Sequence, residues 1–193
     1  GGTFNPIHLG HIHPVIEAAC QVKAQKLIYL PCNIPPHKAS PKITNEHRLN
    51  MVKLALAEVK QAQMKPTSLE IELSEYELNL PDTSYTRHTI EHFYNEFNDQ
   101  PLYFLIGMDS LLSFNQWYQW KEILNFCHLL VIQRPNYSLN TKKISSEILN
   151  HTLFVESKQY DISSSQLRDA QTTDDINQLP HSVKNYITQH NLY

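Results

Sequence analysis

Gly1-Gly2-Thr3-Phe4-Asn5-Pro6-Ile7-His8-Leu9-Gly10-His11 opens the chain and leads straight into Leu9 to Val22, where Ile12, Val15, Ile16 and Ala19 recur at helical spacing. A glycine-containing turn feeding a helix start is the usual cradle for phosphate. The first N–H groups of a helix have no internal partner, and its dipole favours an anion there. Glycine has no Cβ, so two in succession let the backbone turn sharply or come close to a ligand. His8 and His11 are three residues apart, which puts both imidazoles on one face, facing one oxyanion. Such a pair can stabilise charge developing on a phosphoryl group. A metal reading of His8, His11 and His13 competes with this, but no carboxylate or cysteine completes that set.

Working outward, short apolar runs read as buried strands at Leu27–Leu30, Leu69–Leu73, Leu102–Ile106, His128–Ile132 and Leu153–Val155. Helical patterns alternate with them. Glu46 to Val59 repeats Leu49, Val52, Leu56 and Val59 after the candidate caps Thr44 and Asn45; Thr86 to Phe97 and Ser182 to Gln189 follow later. Alternation of this kind predicts an α/β fold, a mainly parallel sheet with helices on both faces, whose ligands bind beyond the carboxyl ends of the strands. A length of 193 residues suits a single domain spanning 1–193, and the part from about residue 160 reads as a small helical subregion.

Composition excludes several functions. The formal net charge is only −3, too little positive field to hold a nucleic acid, so an anionic ligand must be bound by a few local groups. No apolar run reaches the roughly 20 residues of a membrane span. Cys20, Cys32 and Cys127 match neither a disulfide framework nor a zinc pattern, which points to a reducing cytoplasm. Self-association as a homo-oligomer is left open. Of only four glycines, three fall in the first ten residues; the fourth, Gly107, follows an apolar run, and ordinary turn punctuation is its competing reading.

Two further segments bear on anions. Ile162-Ser163-Ser164-Ser165-Gln166-Leu167-Arg168 places three hydroxyls ahead of a short helix and an arginine one turn inside it. Alone it reads equally well as a serine cap; beside the first turn it suggests a triphosphate held from both sides. Pro35-Pro36-His37-Lys38 is a stiff loop after a strand, with Lys38 as a mobile point charge or simply a solvated lysine.

In that order and spacing, GGTFNPIHLGH, PPHK and ISSSQLR resemble the HxGH nucleotidyltransferase superfamily. Ser84-Tyr85-Thr86, Leu105 to Leu111 (LIGMDSL) and Phe114 to Trp120 (FNQWYQW) narrow the resemblance to the bacterial nicotinate mononucleotide adenylyltransferases. It runs nearly end to end, to Ile187–Tyr193, and implies a Rossmann-like fold. It implies AMP transfer from ATP to nicotinate mononucleotide, with Mg²⁺ accompanying ATP and no metal held by protein ligands. It also implies that His8, His11, Lys38 and Arg168 act on the phosphates. Gly1, Gly2, Thr3, Phe4, Gly107, Asp109, Arg134, Ser163, Ser164 and Ser165 would bind ATP. Asn33, Ser84, Tyr85, Thr86, Trp117 and Tyr118 would form the acceptor site, with Trp117 stacked on the pyridine ring. Core packing is the competing reading for Trp117 and Trp120, and the one taken for Trp120.

The sequence departs from the family pattern in places. Asn5 stands where many relatives carry Asp, and Ser165 replaces a more usual Thr. Relatives also have an apolar strand before the glycines, so the full protein is expected to be several residues longer. Three alternatives remain: nicotinamide mononucleotide as acceptor, phosphopantetheine as acceptor, and a nucleotide sensor without catalysis.

Overall fold

The computed structural model describes residues 1–33, 43–81, 83–98, 100–133, 144–157, 163–169 and 177–193. Two compact units contain them, one formed by Gly1–Thr83 with Tyr160–Tyr193 and the other by Ser84–Gln159.

In the first unit, β1 (Lys26–Tyr29) and β2 (Glu70–Leu73) pair in parallel from Lys26↔Glu70 to Tyr29↔Leu73. The crossover carries helix α2 (Asn45–Gln61), as a parallel pair requires. Thr44 is its cap, the hydroxyl accepting from the His47 N–H at 3.3 Å. Beyond β1 the chain pairs once more: Gly2 N–H donates to the Leu30 carbonyl and Cys32 N–H to the Gly2 carbonyl, each at 3.0 Å. The glycine turn therefore hangs from the carboxyl end of β1. The expected first helix is divided into a 3₁₀ turn, Leu9–His11, and helix α1, His13–Gln21, whose first turn accommodates Pro14. Phe4, Ile7, Ile12, Met51, Val52 and Leu69 are central to the core. The C-terminal part contributes α7 (Ser164–Asp169) and α8 (His181–Gln189). Glu58 caps α8 with its carboxylate, which accepts from the His181 and Ser182 N–H groups at 3.1 and 2.9 Å.

The second unit is built on a parallel sheet ordered β3 (Tyr103–Gly107), β4 (His128–Gln133), β5 (Thr152–Glu156). The middle strand β4 buries Leu129, Leu130, Val131 and Ile132 in succession, as a strand covered on both faces does. Around the sheet run α3 (Thr86–Phe97), α4 (Met108–Leu112), α5 (Trp120–Phe126) and α6 (Ser146–Asn150). Phe114, Ile123, Leu129, Val131 and Ile148 form its core. The α/β reading with parallel pairing holds, and all five expected strands are present. Three short helices, α4, α5 and α6, were not expected from periodicity: five to seven residues carry too few apolar repeats to announce one.

Candidate active site

In the first unit the site is the turn from Gly1 to His11. Its left-handed residue is Phe4, at φ 48°, and no glycine has positive φ. The sharp-turn role expected of the glycines thus falls to a phenylalanine, an uncommon place for a bulky side chain. Gly1 and Gly2 instead sit where the protein itself comes close. A Cβ on Gly1 would meet the Leu30 carbonyl oxygen at 3.3 Å, and one on Gly2 would meet the Phe4 ring at 3.3 Å. Phe4 itself is buried, edge-on to His11 at 5.3 Å and beside Tyr29 at 6.0 Å. The Asn5–Pro6 peptide is cis.

The two histidines lie on one face, as their spacing predicted. Their rings lie against each other, centroids 3.7 Å apart and tilted by 37°, and the His8 backbone N–H approaches His11 Nδ1 at 3.4 Å. Tyr29, at the end of β1, donates its hydroxyl to the His11 carbonyl at 3.0 Å, fixing the 3₁₀ turn from below. His8 is 5% exposed, and its Nδ1 is buried with no hydrogen-bond partner among the described residues. Burial lowers this imidazole from 6.5 to about 4, so at neutral pH it is an uncharged ring with an unused polar atom. An orphaned buried polar atom calls for an explanation, and an oxyanion or its hydration shell supplies one.

Elements distant in sequence grip this turn. Arg168, on α7, donates to the Asn5 carbonyl at 2.8 Å, and the Ser164 hydroxyl donates to the Pro6 carbonyl at 3.0 Å. The Tyr193 hydroxyl donates to Asn5 Oδ1. The ISSSQLR segment is therefore brought to the first motif. Within it Ser163 is a true helix cap: its hydroxyl accepts from Gln166 N–H at 3.3 Å while its own N–H donates to Gln166 Oε1 at 2.8 Å. The Ser165 hydroxyl lies 3.2 Å from that of Ser163. Lys38 and Arg134 lie outside the described residues.

Arg48, on α2, is fully buried beneath the turn. One guanidinium nitrogen donates to the Thr3 carbonyl at 2.7 Å; another donates to the Cys32 carbonyl at 2.7 Å, the Asn33 carbonyl at 3.5 Å and Asn45 Oδ1. Burial lowers its pKa from the ordinary value. Asn33 is tied as well, accepting from Asn45 at 2.7 Å and donating to the Leu80 carbonyl at 2.9 Å. Sequence reasoning missed Arg48 and Tyr193. Arg48 did leave a signal, since it lies in register with buried Met51, Val52, Ala55 and Val59. The buried stripe of α2 runs through these residues instead of through Leu49 and Leu56.

In the second unit, β3 ends at Gly107, which caps α4, and Asp109 is exposed in the first turn of that helix. A Cβ on Gly107 would meet nothing within 4 Å, so packing does not require glycine there. Thr86 starts α3 behind Tyr85, which makes no side-chain cap. Ser84 is buried, and its hydroxyl has no hydrogen-bond partner among the described residues. Tyr85 and Tyr118 pack ring to ring at 4.8 Å, with His88 5.9 Å from Tyr118. Trp117 is half-buried against Phe114 at 5.4 Å and Phe104 at 6.1 Å. Trp120 is half-buried too, 6.2 Å from Phe114.

Residues 1–170 match the cytidylyltransferase-like family profile. A probable nicotinate-nucleotide adenylyltransferase of Shewanella frigidimarina is 34% identical over the whole chain and 97% of its own length. The chain belongs to the cytidylyltransferase-like family, among its nicotinate-nucleotide adenylyltransferases. A probable nicotinate-nucleotide adenylyltransferase of Yersinia pestis is 35% identical over the whole chain and 93% of its own length. The fold is also that of the Plasmodium falciparum nicotinic acid mononucleotide adenylyltransferase, solved with NaAD (TM-score 0.76) and with APC (TM-score 0.74). Both are 18% identical and matched over 100% of this chain and 94% of theirs. Among the described residues of this adenylyltransferase-family chain, no helix is long and apolar enough to cross a membrane.

Proposed function

We infer that the chain transfers AMP from ATP to nicotinate mononucleotide, yielding deamido-NAD and pyrophosphate. One observation carries this reading: His8 and His11 ring against ring at a helix start, with a buried nitrogen unpartnered among the described residues, in a chain whose full-length relatives bear that activity's name. A 5′-phosphate oxygen of the mononucleotide attacks the α-phosphorus of ATP as the bond to the pyrophosphate oxygen breaks. That oxygen is already ionised near neutral pH, so no general base is needed. The protein's contribution is in-line alignment and charge stabilisation. His8 enters uncharged and serves as a hydrogen-bond donor at one ring nitrogen; a phosphate beside it favours protonation. His8, His11, Arg168 and Lys38 form the phosphate set, lined by Gly1, Gly2, Thr3 and Phe4. Ser163, Ser164 and Ser165 serve the phosphates too, and the family resemblance assigns Arg134 to phosphate and Gly107 and Asp109 to adenosine.

Magnesium suits this donor set only as a passenger on ATP. The turn's side-chain oxygens are uncharged: Asn5 Oδ1 already accepts from Tyr193, and the Thr3 hydroxyl lies 3.8 Å from Cys32 Sγ. Bound there, it would neutralise phosphate charge while keeping most of its waters.

Trp117 would stack on the pyridine ring, with Ser84, Tyr85, Thr86 and Tyr118 of the same unit serving the acceptor; the family resemblance assigns Asn33 to that ligand too. The amino end of the twelve-residue helix α3, at Thr86, suits a carboxylate better than an amide, which favours the acid. The match to the family profile, over residues 1–170 of the chain, includes residues of both units, which supports a single nucleotidyltransferase domain. Free thiols at Cys20, Cys32 and Cys127 favour a cytoplasmic site of action.

Pyrophosphate release, measured with ATP and each of nicotinate mononucleotide, nicotinamide mononucleotide and phosphopantetheine, tests the reading. Nicotinate mononucleotide should be strongly preferred, because the amide leaves carboxylate donors unpaired. Equal or faster turnover of another acceptor overturns the assignment. ATP binding without pyrophosphate release identifies a sensor.

A further inference from the structure

The group that the proposed chemistry leaves unused is the guanidinium of Arg48. It is fully buried, and its acceptors among the described residues are uncharged: the carbonyls of Thr3, Cys32 and Asn33 and the side-chain amide of Asn45. Its Nε is buried with no hydrogen-bond partner among the described residues. Burying a cation on neutral acceptors is costly, and a hydrophobic residue at this position of α2 would pack with Met51 and Val52 at no such cost. The cation is retained where it contacts two backbone segments at once, the phosphate turn at Thr3 and the chain leaving β1 at Cys32–Asn33. Those segments are already joined through Gly2, whose carbonyl accepts from the Cys32 N–H at 3.0 Å. A guanidinium donating to a carbonyl withdraws electron density from the whole amide. The N–H groups across those amides belong to Phe4 and Asn33, two residues assigned above to the nucleotides.

We propose that Arg48 is a positioning residue for the reaction: it fixes the phosphate turn against the end of β1 and, through the Thr3 and Cys32 carbonyls, strengthens the Phe4 and Asn33 N–H groups as donors to nucleotide phosphate. This rests on the adenylyltransferase reading. Arg48 touches no substrate; it acts through the two peptides it holds.

Two variants test it. Arg48→Met keeps the stem and removes charge and donors. Arg48→Lys keeps the charge but cannot span the same carbonyls. Kinetics are read well below each variant's melting temperature, normalised to folded protein by circular dichroism, and ATP–Mg²⁺ affinity is read by calorimetry without acceptor. Arg48→Met should lose about tenfold or more in kcat/KM for ATP, the size of one or two charge-assisted hydrogen bonds, with Arg48→Lys recovering part of it. KM for the mononucleotide, whose proposed site includes Asn33, should rise as well. Folded Arg48→Met with parental ATP affinity and kcat/KM overturns the proposal, as does a loss in both variants that vanishes on normalisation. If Arg48→Met does not fold, Arg48→Lys decides: parental kinetics overturn the role, and a folded variant with weakened ATP affinity supports it. Should the unsubstituted protein release no pyrophosphate with any acceptor, the functional reading fails instead. ATP affinity of the two variants then still decides the role of Arg48.

Discussion

The turn at Gly1–His11 and the aromatic group at Ser84–Tyr118 are assembled by opposite means. The turn is buried from Phe4 to His8 and held by directed hydrogen bonds from residues far off in sequence: Tyr29, Arg48, Ser164, Arg168 and Tyr193. The aromatic group has ring-to-ring contacts, and Tyr85 and Tyr118 are 36% and 47% exposed. Hydrogen bonds fix distance and angle together, whereas ring contacts allow offset at little cost. The difference matches the chemistry proposed for each region. Phosphoryl transfer needs alignment within a fraction of an ångström, while a flat heteroaromatic ring needs only a face to lie on. A rigid phosphate end and a more adaptable acceptor end are the expected result.

The largest test is at the rigid end. His11→Ala should reduce turnover by about 10²-fold or more, the scale for losing one oxyanion donor; near-normal turnover would remove His11 from the chemistry. Next is the burial of His8. Its imidazole titrates near 6.5 when unfolded but at about 4 when folded, so between those values the unfolded chain holds the extra proton. Stability should therefore fall as pH drops from about 6.5 to about 4 and be flat with respect to this group above pH 7. His8→Gln should flatten the melting temperature across that window. An unchanged pH slope would mean that the ring is not sealed from solvent in the way the turn requires.

Trp117→Ala examines the adaptable end. KM for nicotinate mononucleotide should rise about tenfold, a stacking-sized loss, with KM for ATP changed less. The melting temperature should also fall, because Trp117 packs on Phe114 and Phe104. An equal rise in both KM values would assign the residue to the core alone. The smallest effect belongs to Tyr193→Phe, which keeps the ring and removes the hydroxyl on Asn5. Turnover should fall about fivefold, the value of one hydrogen bond, and a larger drop in ATP affinity than in turnover would shift its role from alignment to binding.

What the sequence disclosed follows from the range over which each feature is encoded. The adjoining pair His8 and His11 and the strands β1 to β5 are local patterns, so spacing and apolar runs reveal them. Arg48 is different. Its partners lie at Thr3, Cys32, Asn33 and Asn45, and no window along the chain contains them all. The left-handed Phe4 was hidden by its neighbours, since a glycine pair beside it is the more economical guess for a turn. Ser163 illustrates a third case, because a capping serine and a phosphate-binding serine look alike in sequence and differ only in what their hydroxyls meet.

One feature links the ends of the chain. Helix α2 grips the phosphate turn through Arg48 near its start and caps α8 through Glu58 near its finish. A few residues past α8, Tyr193 returns to Asn5 in that same turn. Turn, α2, α8 and tail thus close a ring of contacts, much as the members of a truss share a load. In such a ring no member opens alone. The backbone amides of α2 and α8 should exchange with solvent in a single concerted event, and an occupied phosphate turn should slow exchange as far away as the Glu58 cap.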